Sequence, residues 1–212
     1  MPTRWLARQF ACPHGLAGRL IFGPWLDRIG AAMNRLVLDE LAPGPRDRLL
    51  EIGFGGGALL RDFLAAGSAE VTGVDLSEAM VKRARRRFRR ALAEGRLRLV
   101  HGSVEALPLA AASIDKAASV NNIYFWPEPA AAAAELARVI RPGGTLAVAL
   151  EPPEELAKWP GHVHGFRPWS EAEVKALLGA AGFGRFRTAS GTGRKPDYFL
   201  CLTAERLAPQ RG

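Results

Sequence analysis

Leu49-Leu50-Glu51-Ile52-Gly53-Phe54-Gly55-Gly56-Gly57-Ala58-Leu59-Leu60 reads as an apolar strand running into a glycine loop that opens a helix. No other stretch constrains the fold as tightly. Glycine lets the backbone turn sharply and approach a ligand with no Cβ in the way. The helix that follows offers backbone N–H groups with no partner inside the helix. A second strand-like run, Glu70-Val71-Thr72-Gly73-Val74, ends on Asp75. A carboxylate there can accept both hydroxyl hydrogens of a ribose.

Strand and helix patterns alternate from Arg48 to about Leu150. Strand-like runs cover 49–52, 70–74, 97–100, 114–120 and 145–150, and helical runs cover 58–66, 77–93 and 128–140. Ser77 followed by Glu78 is a helix start with a cap and an acidic first turn. Repeated βα units predict a mostly parallel sheet with helices on both faces. Residues 152–169 read as a loop, 170–181 as a helix, and 184–190 with 197–203 as two strands joined by a short link. That link predicts a hairpin, and so an antiparallel end to the sheet. Pro43-Gly44-Pro45 breaks the chain. The expected organisation is an N-terminal helical extension or lid over 1–45 and a ligand-binding domain over 46–212.

The formal charge of +8 admits nucleic acid or an anionic membrane surface as partners. Solvated arginines give the same balance. The two cysteines, Cys12 and Cys201, lie far apart, and the sequence shows no secretory signal and no run of about twenty apolar residues. The expectation is a cytoplasmic protein with reduced thiols.

Gly53-x-Gly55-x-x-Ala58 also fits the dinucleotide fingerprint. Glu51 argues the other way. A carboxylate inside the strand would repel a pyrophosphate and welcome a cationic amine or sulfonium. The spacing Glu51-x-Gly53-x-Gly55-x-Gly57 resembles motif I of the class I S-adenosylmethionine-dependent methyltransferases. Later segments fit that family in order: Val74 to Met80, Gly102-Ser103-Val104-Glu105-Ala106-Leu107-Pro108, Ile114-Asp115, Glu135 to Leu146, and Leu177 to Phe183. The resemblance covers roughly residues 46–204. It implies a Rossmann-like sheet of seven strands and S-adenosyl-L-methionine as cofactor. By position, Gly53, Gly55 and Gly57 would line the methionine and ribose side, and Glu51 would support the loop or the amino group. Asp75 would hold the ribose hydroxyls, Leu76 would pack on the adenine, and Ser103 and Val104 would meet the adenine edge. The family often carries Asp where this chain has Ser103, so the contact there would be uncharged.

Methyl transfer is an in-line displacement from a sulfonium, and the leaving group departs neutral. Positioning dominates, and a base is needed only for a protonated acceptor. The reaction zone is expected at Ser119-Val120-Asn121-Asn122-Ile123-Tyr124-Phe125-Trp126, beyond the fourth strand. Asn121 is a candidate for bonding cofactor or acceptor, and Tyr124, Phe125 and Trp126 are candidate walls with π faces for a cation. The Asn/Asp-Pro-Pro-aromatic sequence of the DNA and glutamine amino-group methylases is absent. His162, near His164 in a glycine-flanked loop, is a candidate base at the pocket rim. No third ligand accompanies the pair, so no metal is expected. In the resembled family an N-terminal extension often folds over the cofactor. Phe10, Leu16, Phe22 and Trp25 would make such a lid apolar, and the interleaved Arg4, Arg8, Arg19 and Arg28 would suit peripheral membrane contact. The expected activity is methylation of a small-molecule or lipid-like acceptor. The alternatives are an RNA methyltransferase using the basic run 82–90, with Met80, Ala84, Phe88 and Ala91 turned inward, and a nicotinamide-dependent oxidoreductase.

Overall fold

The computed structural model describes residues 30–193 and 198–208. The elements are α1 (Ala31–Leu41), β1 (Arg48–Ile52), α2 (Ala58–Ala65), β2 (Glu70–Asp75), α3 (Glu78–Arg87), α4 (Arg89–Ala93), β3 (Leu97–His101) and β4 (Ile114–Val120). They continue with α5 (Pro129–Val139), β5 (Ile140–Leu150), α6 (Pro153–Leu156), α7 (Glu171–Ala180), β6 (Phe183–Gly191) and β7 (Phe199–Arg206). Among the described residues the strands form one sheet of seven, in the order β3-β2-β1-β4-β5-β7-β6. The pairs from β3 through β5 are parallel, whereas β7 runs antiparallel to both β5 and β6. The predicted mixed sheet and terminal hairpin are therefore present. The strand order reverses between β1 and β4, and a ligand crevice is expected beyond their carboxyl ends.

Strand alternation sorts the core into two layers. Leu50 and Ile52 face α5 and α7, where Leu136, Val174 and Leu178 are buried. Leu49 faces the opposite layer with Met33 and Val37 of α1, Leu59 and Phe63 of α2, and Met80 and Ala84 of α3. Fully burying a side chain such as Phe63 stabilises by about 1.5–3 kcal/mol. Glu51 shares the face of Leu49, so a buried carboxylate sits within an apolar layer. Helix α1 packs on β5 and β7, and Lys116 Nζ donates to the Ala42 carbonyl at 2.9 Å just past its end. Residues 1–29, with the expected lid and membrane-facing side chains, lie outside the described residues.

At the opposite end of the sheet from the crevice, Asp115 ties three strands. Its carboxylate accepts from Arg48 Nε at 3.0 Å, from the Arg48 backbone at 2.8 Å and from Arg141 Nε at 2.6 Å. Burial alone would raise its pKa, but the arginine bonds outweigh burial and hold it down at about 2.

Three boundaries differ from the sequence expectation. The helix expected over 77–93 breaks at Phe88, where φ is −109° and ψ 28°. The Phe88 ring packs so closely on Gly57 that a Cβ there would lie 2.9 Å from Cε2. Strand β5 starts at Ile140, running through Pro142-Gly143-Gly144 with a register irregularity against β4. The stretch 152–169 holds short helices at Pro153–Leu156 and Pro160–Val163.

Candidate active site

Gly53, Gly55 and Gly57 have φ of +69°, +49° and +81°, a region L side chains rarely adopt. Gly53 N–H continues the strand pairing to the Val74 carbonyl at 2.7 Å, and Gly57 N–H closes the turn on Phe54 at 2.8 Å. Between them, Gly55 N–H donates to Asp75 Oδ2 at 2.9 Å, and Ser77 N–H donates to Asp75 Oδ1 at 2.7 Å. Asp75 is buried, which pushes its carboxyl up, and the two backbone bonds pull against that shift. Each carboxylate oxygen keeps a further lone pair for a hydroxyl. Next to it, Leu76 is 55% exposed, an apolar platform left bare beside a polar anchor. The first turn of α2 has no side-chain cap, so its N–H groups remain for a ligand. Glu51 is buried on β1, in register with the small residues Gly73 and Ala118. A nucleoside carrying a cationic amino acid tail suits this set: hydroxyls to Asp75, base on Leu76, cation toward Glu51. The residues present thus fit the cofactor that the motif resemblance implies.

The helix after Asp75 holds the loop from its far side. Arg87 Nη1 donates to the Gly56 carbonyl at 2.6 Å, and its guanidinium sits 5.2 Å from the Phe88 ring centre. Of the basic run, Lys82 pairs with Glu78 at 2.8 Å and Arg90 with Glu94 at 2.6 Å. Met80, Ala84, Phe88 and Ala91 are buried, as the helical spacing predicts.

After β3, the Ser103 hydroxyl donates to the Glu105 carboxylate. Its oxygen therefore remains an acceptor. Val104 is buried in the core.

The β4 end forms the other wall. Asn121 has φ +50°, donates its N–H to the Ala149 carbonyl at 2.9 Å, and offers Oδ1 to the Tyr124 hydroxyl at 3.4 Å. Tyr124 is buried; its oxygen accepts from the Glu151 N–H and lies 3.2 Å from the Glu151 carbonyl. Burial, then the charge of Glu151, pushes the phenol well above its usual range. Its ring meets Phe166 at 5.7 Å and Phe125 at 6.1 Å; Phe125 and Phe166 are 4.5 Å apart, and Trp159 lies 5.3 Å from Phe166. Trp126 turns instead into the core and donates to Asn122 Oδ1 at 2.7 Å. His162 Nδ1 donates to the Trp159 carbonyl at 2.7 Å, which sets it beside the aromatic cluster. Among the described residues no group of three metal-ligating side chains converges.

Three residues of this region escape sequence reasoning. Asn122 rather than Asn121 covers the glycine loop: a Cβ on Gly53 would lie 2.2 Å from its Nδ2. Arg87 reads as one of many arginines in a solvated run. Glu151 reads as the end of a strand, yet it lies beside the Tyr124 hydroxyl. Burial and the nearby Glu155 raise its carboxyl to about 7.

A family model described as a methyltransferase domain matches residues 50–148. The uncharacterized methyltransferase YdaC of Bacillus subtilis is 33% identical over 181 residues, 83% of this chain and 92% of that protein. An O-methyltransferase of Pyrenophora dematioidea is 28% identical over 184 residues, 79% of this chain and 69% of that protein. In fold, the chain is similar to a SAM-dependent methyltransferase from Aquifex aeolicus, with a TM-score of 0.70 at 23% identity over 87% of this chain and 97% of that one. The ordered motifs, the sheet that carries them and these likenesses agree, and the chain belongs to the class I methyltransferases that use S-adenosyl-L-methionine as cofactor.

Proposed function

We propose that the enzyme methylates a small-molecule or lipid-like acceptor held against the aromatic cluster of Tyr124, Phe125, Phe166 and Trp159. That cluster is the observation that carries the reading. It lies next to the turn after β4, where the acceptor must meet the cofactor, and offers apolar ring faces. The similarity to an O-methyltransferase fits the same class of acceptor. The RNA alternative needs the run 82–90 as a phosphate track, but Lys82 and Arg90 are paired and Arg87 is spent on the glycine loop. The dinucleotide reading of the same loop gives way to the family.

When bound, S-adenosyl-L-methionine supplies a methyl group on a sulfonium that leaves as a neutral thioether. The chain's work is orientation and exclusion of water. Asp75 holds the ribose hydroxyls, and Leu76 with the Ser103–Val104 backbone frames the adenine. Gly53, Gly55 and Gly57 let the backbone approach the methionine half, with Glu51 facing its charge. Asn121 and Asn122 border the transfer path, Tyr124 braces the wall, and His162 stands at its rim.

Methyl transfer from labelled S-adenosyl-L-methionine into cell RNA and into the organic-extractable pool separates the readings. Label in the organic fraction, unchanged in an Arg85→Glu, Arg86→Glu, Arg89→Glu variant, supports a small or lipid-like acceptor. Label in RNA that vanishes in that variant refutes it.

A further inference from the structure

Glu151 has no task in the orientation scheme above. It follows Leu150, the last residue of β5, at the carboxyl edge of the sheet. Its neighbour across that edge is the turn after β4: Val120 pairs with Ala149, and Asn121 N–H bonds the Ala149 carbonyl at 2.9 Å. The same turn reaches the cofactor loop through Asn122 on Gly53. Both backbone groups of Glu151 are engaged by the Tyr124 hydroxyl, so its position is fixed relative to the aromatic cluster. The residue is half-buried, and burial and the charge of Glu155 are what act on its carboxyl. A partly desolvated carboxyl is therefore carried by a residue whose backbone is held by the aromatic cluster's Tyr124, one position past the strand end that flanks the turn after β4.

We propose that Glu151 is the general base of the reaction, and that the acceptor is a planar molecule presenting a phenol- or enol-type hydroxyl to it. This rests on the small-molecule reading above. The hydroxyl oxygen attacks the methyl carbon. The O–C bond forms as the C–S bond breaks, and the C–S electron pair leaves on sulfur. The hydroxyl proton passes to a Glu151 oxygen. The products are a methyl ether, neutral S-adenosylhomocysteine and a protonated Glu151, which returns its proton to water.

The chemistry selects a hydroxyl over an ammonium. A hydroxyl oxygen keeps a lone pair while protonated, and its proton becomes strongly acidic as the new bond forms, so a carboxylate is base enough. An ammonium has no lone pair until it loses its proton. Its charge would stabilise the carboxylate as an ion pair and leave that proton on nitrogen. Burial first, then Glu155, raises Glu151 to about 7, which places its ionisation near neutral pH. Glu155 is itself bonded to Lys158 at 2.7 Å, the Tyr124 phenol lies against the Glu151 backbone, and Arg167, whose N–H bonds the Tyr124 carbonyl at 3.1 Å, holds its guanidinium 4.0 Å from the Trp169 ring.

The test uses the full chain, tritiated S-adenosyl-L-methionine and three probes: naphthol, naphthylmethylamine and bulk tRNA. Calorimetry with S-adenosylhomocysteine shows that each variant is folded and binds cofactor. The expected result is methyl transfer to naphthol, rising with pH through a midpoint near 7. Glu151→Gln should lower that rate about 100-fold or more, in the range of a lost general base, with cofactor affinity unchanged. Glu151→Asp should keep the pH profile at reduced rate. An unchanged rate and profile in Glu151→Gln would overturn the role of Glu151. Transfer to the amine with naphthol inert, or inertness of both naphthyl probes, would overturn the acceptor class. Transfer to tRNA alone, insensitive to Glu151→Gln, would overturn the small-molecule reading beneath it.

Discussion

The backbone N–H of Gly55 donates to Oδ2 of Asp75 across 2.9 Å, joining the turn after one strand to the acid that ends the next. The ribose anchor and the glycine loop are therefore one unit. Asp75 is pulled in two directions by this arrangement. Burial raises its pKa, so the fold disfavours its charge: this contribution to stability is full below the usual 3.8 and is lost as pH rises through the raised value. The cofactor needs the charged form as a hydroxyl acceptor. The stabilisation conferred by S-adenosylhomocysteine should thus shrink on acidification, beginning above pH 3.8, while the unliganded protein gains from the same protonation. Melting curves with and without S-adenosylhomocysteine check this. A ligand-induced shift in melting temperature that does not change with pH, or that tracks an ordinary carboxyl, would contradict it.

Gly53→Ala meets two costs. At φ +69° a side chain costs about 1–2 kcal/mol, and its Cβ would lie 2.2 Å from Asn122 Nδ2. The second cost belongs to the pair, so Asn122→Ala should relieve part of it. A double-mutant cycle followed by thermal melting should give a coupling of about 0.5 kcal/mol or more. Strict additivity would show that Asn122 does not press on the loop.

Arg87→Ala removes a charge-assisted bond to the Gly56 carbonyl at an exposed position. Loss of about 1 kcal/mol of loop support predicts roughly fivefold weaker S-adenosylhomocysteine binding, with Arg87→Lys in between. Arg85→Ala, two residues away, should leave binding unchanged. Equal effects at both sites would mean that the run acts only through its summed charge.

Asp115 governs stability in acid. Its folded pKa of about 2 lies below the unfolded 3.8, so its contribution is present above pH 3.8 and lost as pH falls toward 2. Both arginine partners are more than 40% exposed, so screening cuts the effect. Asp115→Asn should cost about 1 kcal/mol at neutral pH, or about 2–4 °C in melting temperature, and should flatten the acid limb. Retention of the wild-type acid limb in that variant would place the titration elsewhere.

The parts legible in the sequence were those written in local patterns. Strand–helix alternation predicts the parallel sheet, and the close spacing of the last two strands predicts the hairpin. The glycine loop and Asp75 are readable because backbone freedom and a strand-ending acid leave a signature within a few residues. The start of β5 was hidden because Pro142-Gly143-Gly144 looks like a break, while pairing to β4 carries the strand through it. The break at Phe88 depends on a ring seated on Gly57, a contact with no sequence signal. The same holds for Arg87 on Gly56, for Asn122 on Gly53 and for Glu151 beside Tyr124. In each, residues about thirty or more positions apart meet only after the sheet forms, and composition makes the arginine one of many.

Calorimetric titration with S-adenosyl-L-methionine, S-adenosylhomocysteine and NAD, for the natural chain and for Asp75→Ala, tests most directly that the loop closed on Asp75 is the cofactor site. The expected result is micromolar binding of both sulfur nucleosides, no heat with NAD, and at least about tenfold weaker binding in the variant, the loss of charged hydrogen bonds to the ribose. Undiminished binding by Asp75→Ala, or binding of NAD alone, would contradict it.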